Sequence, residues 1–246
     1  MIMKTSKSLL IFTFFATSLF LMSSCKKDPT VGESLPEYAK VLLFHGAPSV
    51  EGVDLYIDGA KKTSNSLTYG SGSGYVQTDI TARKLQTKNT KGVAIDSSIL
   101  SVKKDVSYSY YVYKDNDAIG SIRVIAKTDA LTATTAGKAK VRVVHLMPDV
   151  ENNKAVDIQI EAVGVPPSNR NDFTALKFKD ASDFFELPKG TYDLHVKFTG
   201  EKNLVIKKSI AITVAEGKIY TFVIHGFASK VITDPQTAKV SFINNN

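Results

Sequence analysis

The chain has 246 residues, 31 Lys and Arg against 24 Asp and Glu, a formal charge of +7, and 43 % hydrophobic residues. That apolar share is ordinary for a globular protein and excludes wholesale disorder, while a single cysteine excludes a disulfide framework or a cysteine-based metal site. The basic excess does not point to nucleic acid, because only Arg83, Arg123, Arg142 and Arg170 are arginine and the lysines are scattered, whereas base reading favours Arg forks and phosphate tracking favours clustered charge.

Lys4 and Lys7 precede an apolar run from Leu9 to Met22, which ends in Met22-Ser23-Ser24-Cys25. A charged start, an apolar stretch of about 14 residues and a small-residue cut site form a secretory signal peptide, too short for the ~20 residues of a spanning helix. Cys25, directly after two small residues, resembles the lipobox cysteine of bacterial lipoproteins. The resemblance implies diacylation of its thiol, cleavage before Cys25 and acylation of the new amino terminus, so that the protein meets the membrane through its acyl chains. Loss of residues 1–24 leaves 222 residues and a formal charge of +5, enough for one large or two small domains.

Residues 25–37 read as a flexible tether, since Lys26-Lys27-Asp28-Pro29 and Gly32 are polar or break regular structure. The segment resembles in part the surface-export signal of Bacteroidetes-type lipoproteins, with Asp28 as its only early acid, and it lacks the Asp at position 26 of an inner-membrane retention signal. The outer membrane is the expected location, the surface face ahead of the periplasmic one.

A duplication follows. Ala39-Lys40-Val41-Leu42-Leu43-Phe44-His45-Gly46-Ala47-Pro48-Ser49-Val50 returns as Ala139-Lys140-Val141-Arg142-Val143-Val144-His145-Leu146-Met147-Pro148-Asp149-Val150, six of twelve positions identical at an offset of 100. Val53 to Asp58 pairs with Val156 to Glu161, and Asp105 to Tyr110 with Gly217 to Phe222. A period this long is a whole domain, which sets a first domain at 38–128, a Thr/Ala/Gly-rich linker at 129–138 and a second domain at 139–246.

Both copies alternate with period two. Val53, Leu55 and Ile57 alternate with Asp54, Tyr56 and Asp58, and Asp58-Gly59 suits a tight hairpin turn. In the second copy Tyr192, Leu194, Val196 and Phe198 form one strand face; Leu204 to Ile206, Ile210 to Val214 and Tyr220 to Ile224 follow, with reversals at Gly200-Glu201 and Glu216-Gly217. The expected architecture is all-β: two tandem immunoglobulin-like or transthyretin-like antiparallel sandwiches. Tyr108, three residues after Asp105, and Tyr220, three after Gly217, have the spacing of a tyrosine corner. Ala238 to Ile243 reads as a closing strand of the second copy or the remnant of a longer array.

Chemistry is sparse. His45 and His145 end core-facing rows, and a ring nitrogen bonded to local backbone near Pro48 or Pro148 is the favoured role over metal or general-base work. Asp54 and Asp157 recur on the outward face and suit turn bonding better than cation binding. Tyr69-Gly70-Ser71-Gly72-Ser73-Gly74-Tyr75 lacks the Lys and following helix of a phosphate loop; it reads as a flexible loop whose Tyr69 and Tyr75 could form a contact surface. Tyr111 and Tyr113 share the face of their strand opposite Tyr108, Tyr110 and Val112, and the second copy puts Val223 and His225 in their places. They are candidates for stacking on sugar rings or anchoring a protein, with cross-strand packing as the alternative. No nucleophile elbow, metal motif or cofactor motif is present.

The motif His-x-x-Pro followed by Val-Asp-x-x-x-Asp-Gly, in His45-Gly46-Ala47-Pro48 and Val53-Asp54-Leu55-Tyr56-Ile57-Asp58-Gly59, resembles the family known as domain of unknown function 4397. The second copy keeps His145 to Pro148 and Val156-Asp157 but has Glu161-Ala162 for Asp-Gly. The resemblance implies envelope or secreted sandwich domains, often in tandem, and transfers no catalytic residue. A lipid-anchored, non-enzymatic protein binding a glycan or an envelope protein is the leading expectation; a structural spacer and a carboxylate-based hydrolase are the alternatives.

Overall fold

The computed structural model describes residues 37–246 apart from 82, 116–121, 149–153, 165–169, 207–210 and 230–232. The lipobox residues Met22, Ser23, Ser24 and Cys25, and the tether up to residue 36, lie outside the described residues. Among the described residues every regular element is a strand, and no helix is long and apolar enough to cross a membrane.

The first sandwich contains β1 (Tyr38–His45), β2 (Val53–Ile57), β3 (Ala60–Lys61), β4 (Gly72–Asp79), β5 (Arg83–Asn89), β6 (Ala94–Leu100), β7 (Ser107–Lys114) and β8 (Ile122–Asp129). Its sheets run β4-β1-β7-β8 and β3-β2-β5-β6. The second contains β9 (Lys138–Leu146), β10 (Val156–Ala162), β11 (Arg170–Leu176), β12 (Phe185–Pro188), β13 (Gly190–Phe198), β14 (Leu204–Ile206), β15 (Ile212–Val214), β16 (Ile219–His225) and β17 (Lys239–Asn244). Its sheets repeat the order as β12-β9-β16-β17 and β11-β10-β13-β14, with β15 also on β13. The order is the transthyretin-like one. Among the described strands pairing is antiparallel except at one place in each copy: β1 lies parallel to β7, and β9 parallel to β16, with an isolated parallel bridge between Phe227 and Thr237 besides. Each of those pairs is joined by a long excursion that builds the opposite sheet, as parallel neighbours require.

Period-two alternation puts Val53, Leu55, Ile57 and Leu85 into one core with Val41, Leu43, Tyr110 and Val112. Val141, Val143, Ile158, Ile160, Leu194, Val196, Phe222 and Ile224 form its counterpart. Asp58 (φ 49°) and Gly59 (φ 80°) are both left-handed, as a two-residue hairpin turn demands. Lacking Asp-Gly, the second copy continues β10 to Ala162, and β11 begins only at Arg170. At each corner a tyrosine hydroxyl accepts a backbone N–H across the turn: Tyr108 from Lys103 (3.2 Å) and Tyr220 from Ala215 (3.3 Å). Strand β17 pairs antiparallel with β16 and closes the second sheet where β8 closes the first. Its likeness to Ala39 and Ala139 is therefore one of sequence, not of position. Strand β8 takes in Asp129 and β9 begins at Lys138, so the connection is residues 130–137, one residue shorter at each end than the expected linker.

A third apolar cluster lies between the sandwiches. Leu42, Phe44, Tyr111 and Tyr113 of the first copy meet Val144, Leu146, Val223 and Ile243 of the second. The sheets β4-β1-β7-β8 and β12-β9-β16-β17 are thus covered on both faces, by their own core and by each other.

Candidate functional site

The four tyrosines expected to form an accessible surface lie at this seam. Tyr111 is 0 % and Tyr113 6 % exposed, so neither can stack on a sugar or dock a partner in the closed tandem. Tyr69 and Tyr75 are half-buried beside them. The glycine-rich segment is no free loop: Gly72 to Tyr75 belong to β4, and a Cβ on Gly70 would stand 3.3 Å from His225 Cε1 of the second sandwich.

Polar chemistry at the seam converges on Arg142, the largest fully buried side chain, 2 % exposed. Its guanidinium pairs with the buried Asp129 carboxylate. It also donates to Tyr111 Oη (2.7 Å), the Thr128 carbonyl (3.0 Å) and Thr221 Oγ1 (3.1 Å). Asp129 further accepts from Ser109 (2.7 Å) and from Tyr75, whose hydroxyl accepts from Asn245 Nδ2 (2.9 Å). Thr221 donates to Asn245 Oδ1 at 2.8 Å. Burial and the Asp129 charge hold the Tyr75 hydroxyl protonated, far above its usual range. An ion pair taken from water survives only when its remaining donors and acceptors are satisfied, and this one is.

The motif histidines organise the far end of the seam in two matching stacks. His45 is clamped by the loop before β4, through His45 N to the Ser71 carbonyl (2.9 Å) and Gly70 N to the His45 carbonyl (2.7 Å). His145 is held alike, through its N–H to Asp180 (3.0 Å) and Lys179 N to its carbonyl (2.8 Å). Each loop lays an aromatic ring against its histidine at a centroid distance of 6.1 Å, Tyr69 on His45 and Phe178 on His145. That ring then reaches the other sandwich: Tyr69 meets His225 at 4.8 Å, and Phe178 meets Tyr113 at 5.7 Å. A lysine covers each stack, Lys239 over Tyr69 and Lys179 over Tyr113 and Phe178. Lys179 also pairs with Asp115 across the seam at 2.7 Å.

The ring bonds of the two motif histidines differ. His45 Nε2 faces the Glu51 carbonyl (3.0 Å), just past Pro48, whereas His145 Nδ1 reaches the distant Leu176 carbonyl (3.2 Å) rather than the Pro148 turn. Both prolines are buried beside them. Burial disfavours the imidazolium, lowering His45 below 6.5, His145 to about 4 and His225 to about 3.

Asp54 and Asp157 lie on the outer sheets, away from the seam. Asp54 accepts from Thr63 (2.8 Å) and Ser66 (2.9 Å) and pairs with Lys61 (3.0 Å), tying down the loop after β3. Asp157 accepts from Ala175 N (3.0 Å) and Thr199 (2.7 Å). Among the described residues no three His, Cys, Asp or Glu side chains are grouped to hold a metal ion. Shallow clefts occur, of about 370 Å³ beside Tyr38, Lys104 and Asp105, about 240 Å³ over the loop from Thr63 to Ser73, and about 220 Å³ at Asp157, Asp172 and Lys197.

Arg142 is the residue that sequence reasoning misses, since it passes for one of the scattered cations. Its signal is positional: it shares strand parity with Val144 and stands where the first copy has Leu42, an apolar seam position.

No curated protein matches the sequence. Among solved structures, a leucine-rich repeat protein of Bacteroides thetaiotaomicron is similar at 12 % identity and TM-score 0.20, over 75 % of this chain and 25 % of that one. The Bacillus anthracis TIE protein is similar at 11 % identity and TM-score 0.27, over 85 % and 43 %. This chain therefore spans a quarter of the first and less than half of the second. A putative cell adhesion protein of Bacteroides eggerthii is similar at 10 % identity and TM-score 0.26, over 85 % of this chain and 95 % of that one. The profile described as Domain of unknown function (DUF4397) matches residues 39–159 and 150–244. Spanning both sandwiches, that match makes the chain a member of the DUF4397 family, carrying two tandem domains.

Proposed function

We propose that the protein is a lipid-anchored component of the outer membrane, without catalytic activity, whose two sandwiches act as one rigid module binding a glycan or an envelope protein. Cys25 is the anchor, at the head of the tether of residues 25–37. The observation that carries the reading is the seam: its buried ion pair and paired aromatic stacks hold the copies as a single body, while the sheets β3-β2-β5-β6 and β11-β10-β13-β14 face outward. A rigid body presents its surfaces in fixed relation, which lowers the ordering penalty of a two-domain contact. The face around Tyr56, with Lys88 Nζ 4.2 Å from its ring and Lys84 and Gln86 alongside, is an aromatic and cationic surface that remains outside the seam.

A pull-down from envelope fractions with the chain from Glu33 onward, together with a glycan array, should give a saturable partner whose binding weakens in Tyr56→Ala. The absence of saturable binding would count against a binding module and for a structural spacer. The same seam favours that second reading, since a stiff tandem also suits a spacer; deletion that disturbs a neighbouring envelope complex, with no ligand found, would establish it. Anchoring has its own test: Cys25→Ala should abolish palmitate labelling and release the protein from membranes, and retained label would refute it.

A further inference from the structure

Strand β6 presents an edge that no described strand covers. It pairs with β5 on one side and, among the described residues, with no strand on the other. Ser97, Ser98 and Ile99 are all exposed, so the strand is open on both faces. Ile99 is 69 % exposed and Val93, just before the strand, 60 %. Several other edges carry the usual deterrents to pairing: β3 has two residues, β8 carries Arg123 and Lys127, β12 ends at Pro188, and β17 opens with Lys239. Strand β6 has no Lys, Arg, Pro or Gly. Its one charge, Asp96, stands opposite the fully buried Thr87, on the inward side near Arg123. The one irregularity, an extra residue at Ile95, lies at the head of the strand and leaves Asp96 to Leu100 regular.

We propose that β6 pairs antiparallel with β6 of a second copy, centred on Ser97. The strand is self-complementary about that residue. With Ser97 opposite Ser97, Asp96 falls opposite Ser98, so no like charges meet, while the bulged Ile95 stays packed on its own core and each exposed Ile99 lies over the two-strand junction. Centring on Asp96 would set two carboxylates face to face, and centring on Ser98 would set Ile99 against Ser97. The contact is isologous and closes at two copies, extending β3-β2-β5-β6 into a continuous sheet across the two-fold axis. It uses the outer sheet, where Ile99 stands beside Lys84 of the Tyr56 face, and is independent of the seam.

Sedimentation equilibrium of the chain from Glu33 onward, which retains the whole compact unit Pro36–Asn246, is the test. A reversible monomer–dimer equilibrium is expected. Ile99→Lys should raise its dissociation constant at least tenfold with an unchanged circular dichroism spectrum and melting midpoint, while Val163→Lys, an exposed site on the other sandwich, leaves it unaltered. Ser97→Cys should give a disulfide-linked dimer under mild oxidation, and Ser64→Cys should not. A chain that stays monomeric at every concentration, dimerisation indifferent to Ile99→Lys, or equal cross-linking at positions 97 and 64 would overturn the self-pairing. So would capture of a foreign strand at β6 without self-association.

Discussion

Arg142 and Asp129 show what a single residue contributes at the seam. Arg142→Ala strands a buried carboxylate, and chemical denaturation should register a loss of about 3–5 kcal/mol. Arg142→Met combined with Asp129→Leu should recover much of it, because the desolvation penalty disappears with the charges; a double variant as weak as the single one would contradict that account. The histidines make stability depend on pH in one direction. His45, His145 and His225 are held neutral by burial, with folded values below 6.5, so the unfolded chain binds more protons once pH falls under 6.5. Their contribution is whole above that value and is lost progressively as pH falls toward about 4 and then about 3, the values of His145 and His225. The groups facing them do not reverse the sign: Lys239 opposes protonation of His225, and Asp180 only partly offsets burial at His145. Urea midpoints between pH 7 and pH 5 should decline, and a flat profile would contradict the buried neutral state. At this scale the sequence is half legible. Strand parity places Tyr111 and Tyr113 on the face opposite the core, as they are, but parity names a face and not what covers it.

Among the elements, the turns follow most directly from local chemistry. Asp58-Gly59 makes a left-handed two-residue hairpin, and its replacement by Glu161-Ala162 lengthens β10 and moves the reversal. Two glycines separate conformational strain from close approach. Gly59 has φ 80° and open space where a methyl group would stand, so Gly59→Ala should lower stability by about 1 kcal/mol. Gly226 has φ 96°, and a Cβ there would run into the Thr237 carbonyl oxygen, a backbone atom that cannot swing aside. Gly226→Ala should therefore cost about 2–4 kcal/mol. Thermal melts of the two variants compare them directly, and equal losses would mean that contact adds nothing to strain. A further element-level signal is present in β1, whose run Val41-Leu42-Leu43-Phe44 is apolar on both parities. Such a strand is buried on both faces, a consequence that alternation read for a single core leaves out.

At the scale of the whole molecule, a duplicated sequence becomes a fused pair. The duplication and the linker predict two sandwiches, and both are there. Their mutual packing is not legible in the sequence, because it depends on residues that differ between the copies: Tyr113 answers to His225, Tyr69 to Phe178, and Leu42 to Arg142. Divergence at those positions turns two similar faces into complementary ones. The His-x-x-Pro motif then gains a structural meaning, since each motif histidine fixes the loop whose aromatic ring crosses to the other sandwich. A separated first domain would expose Leu42, Phe44, Tyr111 and Tyr113 together, a contiguous apolar patch of the kind that drives association. Calorimetry of the chain from Glu33 onward tests the fused pair most directly. The seam predicts one cooperative transition, with calorimetric and van't Hoff enthalpies in agreement and midpoints that coincide for probes placed in either sandwich. Two separable transitions, with the first domain melting independently of Arg142→Ala in the second, would contradict it.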